Sequence, residues 1–350
     1  RELKSKDFKI IYGCEAYVVN DLDPLILISK PDRRSLNDEI IVFDVETTGL
    51  NFDHDRLTEI GAVKVKNNQI IDKFDTFVNP EMPIPADVSE LTQITDDMVK
   101  EAPKTKEALE MFFKFCGESP VLVAHNAQFD STMIDNACNR VGITFDYTYM
   151  DTLVLAQAVL PTVNRYKLDS LAKHFKLGKF NHHRAEDDAY MLAKVYFELI
   201  NLVSKREDIS CLGDLQLLEK EIPIKKRPTY HQILLVRNNT GLKNLYKLVS
   251  KSNLDYYYRR PIMPKSELIK RHEGILFGSA CEAGELFTAI LNNKPKEAIV
   301  NLAKFYDYLE VQPTGNNEFL IRDGKVLDIN KLQQINKTIV DLGKELNLPV

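Results

Sequence analysis

Five residues of this 350-residue chain have the types and spacing to do chemistry together: Asp44, Glu46, Asp130, His183 and Asp188. The first two close the apolar, β-branched run Ile40-Ile41-Val42-Phe43-Asp44-Val45-Glu46-Thr47-Thr48-Gly49. Side chains alternate faces along a strand, so Asp44 and Glu46 project together while Val45 points into the core. Like charges that close are costly unless a cation neutralises them, and carboxylate oxygens are natural ligands for hard divalent ions. Either such an ion is held here, or the strand leaves its core at a solvated acidic rim.

Two further segments bear on that choice. Val121-Leu122-Val123-Ala124 reads as a second buried strand, followed by His125-Asn126-Ala127-Gln128-Phe129-Asp130 and a helical pattern to Arg140. Asp130 then falls in the first turn of a helix, where an acid also interacts favourably with the helix dipole. In His183-Arg184-Ala185-Glu186-Asp187-Asp188 the histidine lies in a loop and Asp188 in the first turns of the helix that follows. Asp187 and Asp188 cannot share a face, because neighbours on a helix lie about 100° apart. Alone, this segment reads as an acidic helix start beside a solvated histidine.

Together, and in this order, the three segments resemble the DEDDh family of 3′→5′ exonucleases. Asp44 and Glu46 match the family's first motif, Asp130 the second, and His183 with Asp188 the third. The resemblance implies a ribonuclease H-like α/β fold, a mixed sheet flanked by helices. It also implies hydrolysis assisted by two Mg²⁺ or Mn²⁺ ions, with Asp44, Glu46, Asp130 and Asp188 as their ligands. His183, whose ordinary pKa is near neutrality, would take the proton of the attacking water. The product would be a nucleoside 5′-monophosphate released from a DNA 3′ end. Thr47, Thr48 and the Gly49 turn offer amides and hydroxyls to a terminal nucleotide, Leu50 a surface for its base, and Asn126 a neighbour to Asp130. Each of these also reads as ordinary turn chemistry.

The elements that must carry these residues follow from periodicity. Apolar runs at 40–44, 59–65 and 73–78 predict neighbouring strands, with Asn67-Asn68 as the turn between the second and third. Helical patterns follow at 104–116, 127–141, 151–159, 168–175 and 187–203. Strands first, then helices alternating with strands, fit a mixed sheet covered by helices.

Composition bounds the rest. With 44% hydrophobic and 28% charged residues the chain is that of a globular protein with a sizeable core. It shows no apolar run long enough to span a membrane and no secretory signal pattern. It begins at Arg1 rather than Met, which points to a piece of something longer. Five dispersed cysteines (Cys14, Cys116, Cys138, Cys211, Cys281) argue for a reducing cytoplasm rather than a disulfide framework. A net charge of −5 is unlike that of a protein coating DNA, although metal-ligand carboxylates account for part of it. Basic clusters occur at Lys225-Lys226-Arg227 and at Arg259-Arg260 after Tyr256-Tyr257-Tyr258. They read either as solvated loops or as a surface that stacks single strands.

Residues 8–20 and 229–345 resemble two parts of a PHP (polymerase and histidinol phosphatase) domain. The matching stretches are Tyr12-Gly13-Cys14-Glu15-Ala16-Tyr17, Tyr230 to Asn238, Gly278 to Leu286, and Tyr308 to Gln312. An exonuclease inserted into a partial, barrel-like PHP domain is the arrangement of PolC-type bacterial replicative polymerases. That resemblance divides the chain into 1–33, the first PHP piece; 34–205, the exonuclease; 206–228, a connector; and 229–350, the PHP continuation. It implies an incomplete PHP metal site from Glu15, His231 and Cys281, with Zn²⁺ or Mn²⁺ in the full-length protein, and Glu310 on a further strand. The family's early His-x-His and late Asp-x-His do not occur in the chain. The implied partners are a DNA 3′ end, single-stranded or frayed, the polymerase core of the same chain, and replisome components such as the sliding clamp; no membrane is implied. Two other functions fit the same residues: an RNA 3′-end trimming exonuclease, and a catalytically silent scaffold for the polymerase.

Overall fold

A computed structural model describes residues 10–28, 32–178 and 184–350. The chain forms two units: residues up to Asp23 with Pro223–Val350, and Pro24–Ile222 between them. The first contributes the opening strand, β1 (Gly13–Val19).

The inserted unit runs through β2 (Leu27–Ile28), β3 (Ile40–Thr47), β4 (Leu57–Lys66), β5 (Gln69–Phe77), α1 (Ala86–Thr92), α2 (Asp96–Val99), α3 (Thr105–Cys116), β6 (Val121–Ala124), α4 (Gln128–Val141), β7 (Thr148–Asp151), α5 (Thr152–Val159), α6 (Leu168–His174) and α7 (Ala185–Val203). Its six-stranded sheet has the order β2-β7-β6-β3-β4-β5. β3 is central, antiparallel to β4 and parallel to β6. Ile40 to Phe43 are buried on both faces, which is why this stretch is apolar without alternation. Ile40 and Val42 pack under α5, α6 and α7; Ile41, Phe43 and Val45 pack under α3 and α4. The β4–β5 turn is the expected Asn67-Asn68, both at positive φ (52° and 56°), as a two-residue hairpin whose twist matches its strands requires. β5 is an edge strand, polar and mostly exposed, which blunts unwanted pairing.

Two boundaries differ from those expected. Leu27 and Ile28, placed by sequence in the first flanking piece, pair with Met150 and Tyr149 of β7 and extend the larger sheet. The charged stretch after α7 is no free connector through residue 222. It forms a 3₁₀ run, Leu212–Glu221, in which side chains three residues apart stack on one face, and Leu212, Leu215 and Leu218 enter the core. Buried Glu219 accepts hydrogen bonds from the backbone amides of Leu25 (2.7 Å) and Ile26 (2.8 Å). The alternation of charges with leucines at every third position masked a row too short for an α-helical pattern.

The other unit continues with β8 (Thr229–Val236), α8 (Asn239–Leu254), β9 (Met263–Pro264), α9 (Lys265–Lys270), β10 (Ile275–Gly278), α10 (Glu285–Leu291), α11 (Lys296–Ala303), α12 (Phe319–Arg322) and α13 (Ile329–Leu346). Its sheet has the order β10-β8-β1-β9. β1 and β8 pair antiparallel from Gly13↔Leu235 to Val19↔Thr229, so segments far apart in sequence build one sheet.

Candidate active site

The pleat of β3 directs Asp44 and Glu46 to the sheet face covered by α7, and the first turn of α7 brings Asp188 to the same place. Carboxylate oxygens of Asp44, Glu46 and Asp188 lie within 4.8 Å of one another. Asp130, buried in the first turn of α4, stands beside this set, its Oδ1 accepting the Val45 amide at 3.3 Å. His183 lies outside the described residues. Among the described histidines, His125 precedes α4, but its Nδ1 faces Thr152 Oγ1 (3.0 Å) and its Nε2 faces the Tyr166 carbonyl (2.6 Å). Burial presses its pKa down to about 4, so it is a neutral structural ring rather than a base.

The cluster resists ionisation. Withdrawal from water, then the charges of Asp130, Asp188, Glu46 and Glu59, hold Asp44 well above the usual carboxylate range. Burial and the charges of Asp188, Glu59 and Asp130 push Glu46 up to about 8. Asp130 is likewise pushed by burial to about 8, against the opposing effect of the Val45 amide. Like charges sharing one site cannot all be present without compensation. Hard oxygen donors converging with surplus negative charge are what a divalent cation needs, so the residues fit the ions their motif implies.

Three residues at this site escaped the sequence reading. Gly61 and Glu59 on β4 lie in register opposite Asp44 and Glu46. Glu59 is fully buried and binds Arg184 and the Ala185 amide at the start of α7. Asp151, at the end of β7, caps α5 through the Leu153 amide (2.8 Å) and also accepts from Asn126 (3.1 Å) and Ala127 (3.2 Å), fixing the turn that leads to Asp130. Its pKa is raised by burial to about 6 despite these bonds. A glutamate and a glycine inside an apolar strand were the available signals.

The expected nucleotide contacts separate into two kinds. The Thr47 hydroxyl donates to the Gly49 carbonyl (2.6 Å), and buried Thr48 donates to Asp55 Oδ1 (3.0 Å) while accepting the Arg56 amide (3.1 Å). Both hydroxyls are thus taken up within the loop rather than turned to a ligand, because they close it on itself. A Cβ on Gly49 would come within 2.4 Å of the Asp55 carboxylate, so a larger residue there would have to displace the side chain that closes the loop. Leu50 is 80% exposed at its tip, and Asn126 is exposed with φ at 67°.

In the other unit, Glu15 on β1 and His231 on β8 are diagonal neighbours on one sheet face. Glu15 Oε1 lies 2.6 Å and Cys281 Sγ 3.3 Å from His231 Nδ1, and donor atoms of all three lie within 4.8 Å. Glu310 is outside this group; its Oε1 accepts the Ala280 amide at 3.3 Å. Of the basic clusters, Arg227 is buried against the Asn20 carbonyl and is no surface charge. Arg260 caps the Tyr17 ring at 4.0 Å and donates to Thr229 (2.6 Å).

Comparison with known proteins gives a match of residues 41–196 to the family model described as "Exonuclease". The chain is 43% identical over 341 residues to the PolC-type DNA polymerase III of Caldanaerobacter subterraneus, covering 97% of this chain and 24% of that protein. It is 44% identical over 350 residues to the PolC-type DNA polymerase III of Clostridium perfringens, again covering 24% of that protein. The chain therefore spans about a quarter of the length of the curated relatives it matches. Among solved structures, exonuclease X in complex with 5′ overhanging duplex DNA is 25% identical, with a TM-score of 0.41 over 51% of this chain and 99% of that one. Among the described residues, no helix is long and apolar enough to cross a membrane.

Proposed function

We propose, from the match of residues 41–196 to the exonuclease family model and of nearly the whole chain to part of PolC-type DNA polymerase III, that it is the 3′→5′ proofreading exonuclease portion of a replicative DNA polymerase. The observation that carries this reading is the convergence of Asp44, Glu46 and Asp188, with Asp130 beside them, inside the matched segment. These four carboxylates hold Mg²⁺ or Mn²⁺, which when bound offsets the charge of the scissile phosphate. His183 accepts the proton of the attacking water. Leu50 packs against the terminal base, Asn126 orients the terminal nucleotide, and Asp151 keeps Asn126 in place. Water attacks phosphorus and the 3′-oxygen of the penultimate nucleotide leaves, so a nucleoside 5′-monophosphate is released.

The substrate is a DNA 3′ end, single-stranded or frayed from its template, and the working compartment is the cytoplasm. The flanking unit is a PHP domain in which Glu15, His231 and Cys281 hold Zn²⁺ or Mn²⁺ when the full-length protein supplies the missing ligands. The polymerase core of the same chain and the sliding clamp are its partners. A DNA oligonucleotide and an RNA of the same sequence, each labelled away from its 3′ end, test the reading with Mg²⁺, Mn²⁺ or EDTA beside Asp44→Ala. Stepwise, metal-dependent shortening of DNA that the variant lacks is expected. Faster loss of RNA would favour an RNA-trimming enzyme, and equal inactivity of both proteins a scaffold.

A further inference from the structure

We propose that Glu59, with Arg184 and Gly61, is a positioning anchor that clamps the start of α7 to the sheet and thereby sets Asp188 against Asp44 and Glu46. The proposal rests on the nuclease reading above. Glu59 is completely buried, yet it is not one of the converging ligands, because its oxygens are already committed. Arg184 donates to them through Nε (3.1 Å) and Nη2 (2.8 Å), and the Ala185 amide donates at 2.9 Å. α7 has no capping side chain of its own, and Arg184, at its N-cap position, is extended. Glu59 therefore does from β4 what a capping residue does locally: it satisfies a free amide and places negative charge at the positive end of the helix.

The same turn carries Asp188, whose amide donates to the Arg184 carbonyl at 2.9 Å. Gly61, paired with Asp44, lets this turn rest directly on the strand: a Cβ there would lie 2.1 Å from Ala185 C and 2.2 Å from Glu186 N. The Arg184 guanidinium also packs over the Phe77 ring at 5.3 Å. A longer side chain at residue 61, or a residue at 59 unable to accept from both donors, would lift the helix start and move Asp188 off its partners.

Isothermal titration of the chain with Mn²⁺ tests this, alongside DNA cleavage and circular dichroism. Glu59→Ala and Gly61→Ala are expected to weaken Mn²⁺ binding about 10- to 100-fold, the range seen when groups orienting metal ligands are removed. Glu59→Gln, which still accepts from Ala185, is expected to lose less. Glu219→Gln, a change of a buried glutamate elsewhere, should leave affinity unchanged. If Glu59→Ala does not fold, Gly61→Ala and Glu59→Gln decide. Binding within twofold of wild type in the folded variants would overturn the anchor. A wild-type chain that binds Mn²⁺ tightly yet does not shorten DNA would overturn the nuclease reading while leaving the anchor supported by the same titration.

Discussion

Replacing Glu46 with glutamine should stabilise the metal-free protein at neutral and alkaline pH while weakening its response to metal. Glu46 ionises at about 8 in the folded chain against an ordinary value near 4.5, so the folded state keeps a proton that the unfolded chain has lost. For an acid raised in this way, stability is fully present below about 4.5 and falls as pH rises towards about 8. At about 1.4 kcal/mol per pH unit, holding that proton at pH 7 rather than 4.5 weakens the fold by roughly 3 kcal/mol. Glutamine removes the ionisation, and for a unit of this size roughly 3 kcal/mol corresponds to a midpoint higher by roughly 6–12 °C. The assay is scanning calorimetry in EDTA at pH 5 and pH 8, then with added Mn²⁺. Wild type should melt lower at pH 8 and regain the difference with Mn²⁺; Glu46→Gln, in which Asp44 and Asp130 still titrate, should show a smaller drop and a smaller gain with Mn²⁺ and match wild type at pH 5. Equal midpoints for the two proteins at pH 8 without metal would refute the argument that repulsion and desolvation are concentrated at this cluster.

Other consequences follow from the same geometry. Asp188→Ala should lower DNA cleavage by more than about 100-fold, beyond the effect of orienting residues, with an unchanged circular dichroism spectrum. His183→Ala should slow single-turnover cleavage at pH 7 by about 10²–10⁴-fold yet leave Mn²⁺ affinity within twofold, since it would remove a proton acceptor and not an oxygen ligand. Leu212→Ala should destabilise the larger unit by about 2–5 kcal/mol in urea unfolding, because its side chain fills that core from beyond α7.

What the sequence determined by itself is local. Strand alternation sets Asp44 and Glu46 on one face, the strand-to-helix turn sets Asp130 in a first turn, and the acidic start of α7 offers Asp188. The order of these motifs resembles that of the exonuclease family without reference to any contact. Tertiary structure decided what depends on residues distant in sequence. Register put Glu59 opposite Glu46, and the crossing of α7 over Gly61 turned an ordinary strand glycine into the seat of a helix. The Thr47 and Thr48 hydroxyls looked outward from their neighbours in sequence, but closure of the loop drew them in, Thr47 onto the Gly49 carbonyl and Thr48 onto Asp55 and Arg56. Leu27, Ile28 and the leucines at 212, 215 and 218 joined the larger unit for the same reason. Short apolar segments carry little periodic signal, and only the partners that bury them reveal which core they complete.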